Sequence, residues 1–174
     1  ENAPWLAWCS FPDPHHPMTP PGDWFDRHAP SDMELPATLL DTGADCFEHL
    51  GRFRNIHPRD QQNWVSPCGY GSNVLVQEAI AATYGMVEMI DHAIGSILDH
   101  LDATDQRENT IIVFTSDHGD MMGDHGLMLK GFMHYRGTLQ VPLVISVPGQ
   151  KPNRTTRLAS SIDLGPTLLD LCGV

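Results

Sequence analysis

Two short stretches of this 174-residue sequence carry side chains that could hold a cation and an anion together. In Thr110–Gly131, TIIVFTSDHGDMMGDHGLMLKG, the residues Asp117, His118, Gly119 and Asp120 arrive as a block. Asp124-His125-Gly126 starts seven positions after Asp117, and Lys130 follows. Asp117 offers hard oxygen donors and His118 adds a nitrogen, so the pair suits a divalent metal. Lys130 would bring a point charge to an anion bound on that metal. Plainer readings stand beside these. A strand-end Asp is common in turns, so spacing alone divides Asp117-His118 about evenly between turn and metal pair. An exposed loop is the usual place for a lysine. The second stretch is Asp13-Pro14-His15-His16-Pro17, where prolines on both sides restrict where the imidazoles point. One of these histidines could serve as a general acid or hydrogen-bond donor to an anion, against the plainer reading of two surface histidines.

These residues need elements to position them. Ile111–Phe114 is a run of β-branched and aromatic residues with the length of a buried strand. Asp117 then lies just past a strand end, where open α/β sheets bind ligands. Pro4–Phe11, PWLAWCSF, reads as another buried strand, which puts His15 and His16 in the same relation to it. The clearest helix is Gln77–Ala103, with Thr83, Val87, Ile90, Ile94, Ile97, Leu98 and Leu101 on the face expected to pack. His92 and His100 are eight apart and could share a metal, but a solvated helix surface is the better reading. Gly95 marks an expected close approach to a neighbouring element. Helix, polar connection and strand in that order make half of a parallel α/β crossover. Val141–Val147 reads as a second buried strand, and Asp163 is expected to cap a last helix ending at Leu171.

Residues 20–76 are mostly loop-like. Trp24 and Phe25 are expected to pack Pro20–Pro36 onto the body, Cys46–Phe53 to form a short helix, and Asn63–Asn73 to turn. His49, Arg52, Arg54, His57 and Arg59 are weak candidates for substrate contacts, with a solvated polar face the better reading. His134 and Arg136, in the loop Phe132–Thr138, could also reach an anion.

The composition, 41% hydrophobic, is that of one globular domain able to bury a core. A formal net charge of -12 argues against nucleic acid as a partner. It leaves an anionic small substrate open, because a bound divalent cation inverts the local field. Cys9 and Cys172 read as small buried hydrophobes. The spacing leaves a Cys46–Cys68 disulfide open. No run is apolar enough for a membrane span. The abrupt start at Glu1 reads as that of an excised or processed piece.

The run Asn109–Gly131 looks like the C-terminal metal-binding segment of the sulfatase family, within the alkaline-phosphatase-like superfamily. Ser10–Pro21, SFPDPHHPMTPP, resembles that family's segment with an active-site histidine. YGMVEMIDHAIGSILDHLD, VPLVISVPG and DLGPTLLDLCGV match in the family's order, so the resemblance covers all but roughly residues 22–76. It implies an α/β fold, part of a three-layer sandwich with a mostly parallel sheet. Residues 1–174 would be one incomplete catalytic domain, lacking the N-terminal nucleophile half and the C-terminal subdomain. Asp117 and His118 would be half of a divalent metal site, calcium foremost, with Mn²⁺ or Mg²⁺ as alternatives. Lys130 would contact the transferred group and His15, ahead of His16, would assist the leaving group. His125 reads as an orienting or structural residue. The family's C-x-P-S-R segment, whose Cys becomes formylglycine, is not in the chain. Cys68 in SPCGYGS lacks that spacing, so no nucleophile is assigned. Arg136-Gly137 departs from the acidic residues the family more often has. The function this implies is hydrolysis of a sulfated small molecule or carbohydrate by a longer enzyme, with the chain alone inactive. Phosphodiester or phosphonate hydrolysis by the same fold, or a non-catalytic α/β fragment, are the alternatives. Exposed strand edges would favour self-association. The compartment stays open between periplasmic or secreted and cytoplasmic.

Overall fold

The structure, a computed structural model, describes residues 3–41, 48–57 and 68–174. In chain order its elements are α1 (Glu48–Arg54), β1 (Cys68–Gly69), α2 (Asn73–Ala103), β2 (Ile112–Thr115), β3 (Leu127–Met128), α3 (Arg136–Leu139), β4 (Leu143–Ser146) and α4 (Leu164–Leu171). Short 3-10 turns lie at Gly22–Trp24, Pro30–Asp32, Arg107–Asn109, Asp124–Gly126 and Ser161–Asp163.

Helix α2 begins earlier than the apolar periodicity predicts because Ser72 caps it, its hydroxyl accepting from the Leu75 amide at 3.2 Å. The face that packs also differs. Val76, Ala81, Ala82, Gly85, Met86 and, at the far end, Leu101 are buried. Val87 and Ile97, on the predicted stripe, are 48% and 42% exposed. Small residues win here because the segment Pro20–Pro36 lies directly on the helix. A Cβ at Gly85 would sit 2.1 Å from the Trp24 carbonyl oxygen, whereas one at Gly95 would meet open space. Gly85 is therefore the close approach that was expected at Gly95. The segment is also tied down by its side chains. Arg27 lies 4.5 Å over the Trp24 ring and 3.5 Å from Glu88, and His28 Nε2 is 3.1 Å from Glu88 Oε1. His92 packs its ring against Trp24, which leaves the solvated-surface reading of His92 and His100 too simple at His92 and gives no metal pair.

β2 pairs antiparallel with β4, from Ile112↔Ser146 to Thr115↔Leu143, and β1 pairs antiparallel with β3 through Cys68↔Met128 and Gly69↔Leu127. Parallel neighbours of β2 are not found among the described residues. The two long-predicted strands are present, but Phe114, Leu143 and Val144 are 42%, 39% and 57% exposed rather than buried. Pro4–Phe11 forms no strand; it is irregular, with Trp8 86% exposed. Cys9 and Cys172 are exposed, and α4 buries no residue. These apolar runs have the pattern of covered faces, and a face is buried only where a second layer lies over it. The Asp163 carboxylate accepts from the Ser160 amide at 2.8 Å, so it closes the turn before α4 rather than capping α4 itself.

The core sits instead between the N-terminal part of α2 and the loop after β2. One cluster joins Leu39, Cys68, Val76, Met128 and Leu129; the other joins Met121, Leu127 and Met133, with Phe53 and Tyr135 against it. Cys46 lies outside the described residues, and Cys68 is a free thiol only 1% exposed, so the Cys46–Cys68 disulfide is not formed. Burial, reinforced by the nearby Asp120 charge, pushes the Cys68 thiol up to about 11 from 9.0. At pH 8 a maleimide should therefore modify Cys68 roughly 100-fold or more slowly than the exposed Cys9 and Cys172, as read by peptide mass spectrometry. Because the folded value lies above the unfolded one, the stability this group contributes is complete below pH 9.0 and lost as pH rises through about 11.

Candidate active site

β2 ends at Thr115 and the chain turns at once. The Ser116 hydroxyl donates to the His118 carbonyl at 3.1 Å, and Asp117 Oδ1 accepts from the His118 amide at 2.8 Å. That leaves Asp117 Oδ2 directed away from the backbone. His118 Nδ1 lies 3.0 Å from the Gly119 carbonyl. A carbonyl only accepts, so Nδ1 carries the proton and the neutral ring keeps its lone pair at Nε2. His118 Nε2 is 3.6 Å from Asp117 Oδ2. Two metal bonds of about 2.1–2.4 Å meeting at roughly 90–110° place their donor atoms ~3.0–3.9 Å apart. The two atoms therefore fit a single divalent ion approached from one side, and with side chains 84% and 43% exposed they are accessible to it. Among the described residues no third His, Cys, Asp or Glu completes a metal cluster. Burial works against the Asp117 carboxylate, but the His118 amide and imidazole, its own amide and the Ser116 hydroxyl together outweigh it and hold its carboxyl below the ordinary range.

Gly119 is where two backbones meet. Its amide donates to the Thr138 carbonyl at 2.8 Å, and a Cβ on it would lie 2.0 Å from the Gly137 oxygen. A Cβ on Gly137 would in turn come within 3.0 Å of Asp124 Oδ2 and 3.1 Å of the Asp120 carbonyl. The start of α3 is thus pressed onto the Asp117–Asp120 block. At Gly137 of the departing Arg136-Gly137 pair a side chain would be tight, and its neighbours would have to give by a few tenths of an ångström. Arg136 itself donates to Gln140 on its own helix.

The loop from Met121 to Gly131 folds back on itself, with the Met121 amide donating to the Leu129 carbonyl and the Gly123 amide to the Leu127 carbonyl, both at 2.8 Å. Met122, His125 and Leu129 take left-handed φ values of 45°, 53° and 65°. Each such conformation costs on the order of 1 kcal/mol and persists only where its surroundings enforce it. Buried Met121, Leu127 and Met133 do so from below. Polar ties do so from the side: Thr38 Oγ1 donates to Asp124 Oδ1 at 2.7 Å, Arg54 Nε donates to the His125 carbonyl at 2.8 Å, and His125 Nδ1 is 3.5 Å from Asp41 Oδ2. His125 also stacks on Tyr135 at 4.2 Å. Arg54, weighed as a substrate contact, braces this loop. The side chains of His49 and Arg59 lie outside the described residues.

Lys130 follows directly from this fold and is not a free loop lysine. Its Nζ is 4.0 Å from Asp120 Oδ2, and the two side chains are 15% and 19% exposed. Burial raises the Asp120 carboxyl above its ordinary range, although the Lys130 charge, the Met121 amide and the His118 and His15 imidazoles all pull the other way. Lys130 is therefore the cation that pairs with this carboxylate. His15 is exposed, its Nδ1 donates to the His16 carbonyl, and its ring stacks on that of His16 at 4.0 Å. His16 is 5% exposed and lies beneath its neighbour. The residue that sequence reasoning left without a role is Asp120. Its only signal was a second carboxylate within the Asp117–Asp120 block.

This mixture of helix and strand fits part of an alkaline-phosphatase-like α/β sandwich. The phosphonate monoester hydrolase of Agrobacterium radiobacter superposes with a TM-score of 0.83 at 30% identity, over 99% of this chain and 36% of that one. The Sulfatase family model matches residues 1–174, and the chain belongs to that family. It is 35% identical to an arylsulfatase of Clostridium perfringens, over 99% of this chain and 35% of the relative. It is 31% identical to a choline-sulfatase of Rhizobium meliloti, over 98% of this chain and 32% of the relative. The chain thus spans about a third of the length of these relatives. No helix among the described residues is long and apolar enough to cross a membrane.

Proposed function

We propose that residues 1–174 form the anion-facing part of a hydrolase of sulfate esters, acting on a sulfated small molecule or carbohydrate. The observation that supports this best is that one turn and the loop after it set an Asp117–His118 donor pair, 3.6 Å apart, and a Lys130–Asp120 pair, 4.0 Å apart. Asp117 Oδ2 and His118 Nε2 would hold a divalent metal, calcium foremost and Mn²⁺ or Mg²⁺ as alternatives, which when bound would polarise the oxygens of a sulfate. Lys130 would bind the same anion and offset the charge that develops on it. His15 would act through Nε2, because its Nδ1 is already committed to the His16 carbonyl. As an imidazolium it would release that Nε2 proton to the departing ester oxygen. No residue of the chain is assigned as nucleophile; in the family that role belongs to a formylglycine. The superposition with a phosphonate monoester hydrolase favours, as a second reading, the same groups serving a phosphonate or phosphodiester.

Calorimetric titration of the chain with Ca²⁺, Mg²⁺ and Mn²⁺ tests the metal pair. Weak binding that disappears in both Asp117→Asn and His118→Ala is expected, since only two ligands lie together among the described residues, and binding that survives both changes would remove the pair from the site. Assays with an aryl sulfate and an aryl phosphonate test the rest. The isolated chain should turn over neither, and rates well above background would refute its expected inactivity.

A further inference from the structure

We infer that Asp120 is a positioning residue: its carboxylate holds the Lys130 ammonium in place for the substrate anion. This rests on Lys130 being the anion contact proposed above. The geometry around the pair is unusually constrained. The Asp120 carboxylate is fixed by its own neighbour, Oδ1 accepting from the Met121 amide at 3.1 Å. The backbone at Gly119 is pinned to Thr138, and Gly137 crowds the Asp120 carbonyl, so the carboxylate has little freedom to follow a moving partner. Lys130 is flanked by Leu129 and Gly131, both in left-handed conformations, so its stem leaves the backbone in one direction. Oδ2, the oxygen left over, is the one 4.0 Å from Nζ.

A carboxylate is needed at this point on electrostatic grounds. A lysine's long flexible stem would otherwise let its ammonium swing into solvent. A partly buried negative charge 4.0 Å from Nζ opposes that. The separation of 4.0 Å is also longer than a tight ion pair, which leaves the ammonium able to exchange partners when a stronger anion arrives.

The chain has only two lysines, Lys130 and Lys151, and Lys151 is exposed, so amine chemistry can report on Lys130 against an internal standard. Limited acylation with a succinimidyl ester, read by peptide mass spectrometry, should label Lys130 severalfold more slowly than Lys151. In Asp120→Asn the Lys130 rate should rise toward that of Lys151, and Asp120→Glu should restore the slow rate. Cys68, buried and under the influence of the Asp120 charge, checks the fold: it must stay unreactive to maleimide in each variant scored, and if Asp120→Asn unfolds, Asp120→Ser takes its place with the same expected rise. Equal Lys130 rates in wild type and Asp120→Asn would overturn the inference. Inorganic sulfate supplies a second arm. Removing a negative charge should by Coulomb's law alone tighten sulfate, whereas lost positioning should raise the sulfate needed to protect Lys130 by severalfold. Tighter protection in Asp120→Asn would again overturn the inference. Absence of protection in the wild type, with the labelling difference intact, would leave the positioning standing and refute the anion role of Lys130 instead.

Discussion

Lys130→Met should lower kcat for an aryl sulfate by about 10²- to 10³-fold, measured in a protein that carries this chain and turns over such an ester. The charge removed is the one placed to meet charge developing on the transferred group, so kcat should fall more than KM rises. The change should also destabilise the fold. It leaves Asp120, 19% exposed, without its cation. Breaking a fully buried pair costs about 3–5 kcal/mol, and a pair 4.0 Å apart with some solvent access should cost less, roughly 1–2 kcal/mol. The double variant Lys130→Met with Asp120→Asn separates the two effects. Chemical denaturation should show stability recovering in the double variant, while turnover stays at the level of the single one. Recovery of turnover would mean that the lysine acts only through folding.

Gly119→Ala should lower stability by about 3 kcal/mol or more and abolish metal binding at Asp117-His118, as followed by thermal denaturation and calorimetry. The reason is local. The added methyl would lie 2.0 Å from the Gly137 oxygen, and the atom in the way belongs to a backbone that is itself hydrogen-bonded through Thr138. Neither side can rotate away, as a side chain would. The strand-end turn must move, and with it the 3.6 Å spacing between Asp117 Oδ2 and His118 Nε2. The same change at Gly95, which faces open space, should cost nothing and should slightly favour the helix.

The candidate site was readable along the chain because its residues are nearly contiguous. Asp117, His118 and Lys130 lie on one turn and one loop, and a strand end announces where they start. The prolines marked the His15-His16 pair, and only the family resemblance put His15 ahead of His16. The fold was less readable at its surfaces. Periodicity put Val87 and Ile97 on the packed face of α2, yet the helix packs through Gly85 and its alanines, because the partner is a backbone segment that needs room rather than a layer that needs filling. The run Pro4–Phe11 has the composition of a strand, but composition supplies no hydrogen-bonding partner, and it stays irregular.

By itself the sequence determined the family, the order of the elements and the kinds of ligand atoms gathered after β2, since these depend on residue type and on spacing a few positions long. Only the tertiary structure decided that Gly119 and Gly137 touch, that Arg54 and Tyr135 brace His125, and that the partly buried Asp120 carboxylate pairs with Lys130. Such contacts join residues far apart along the chain, and which atoms meet across that distance is set by how the backbone closes, about which residue type and local period are silent.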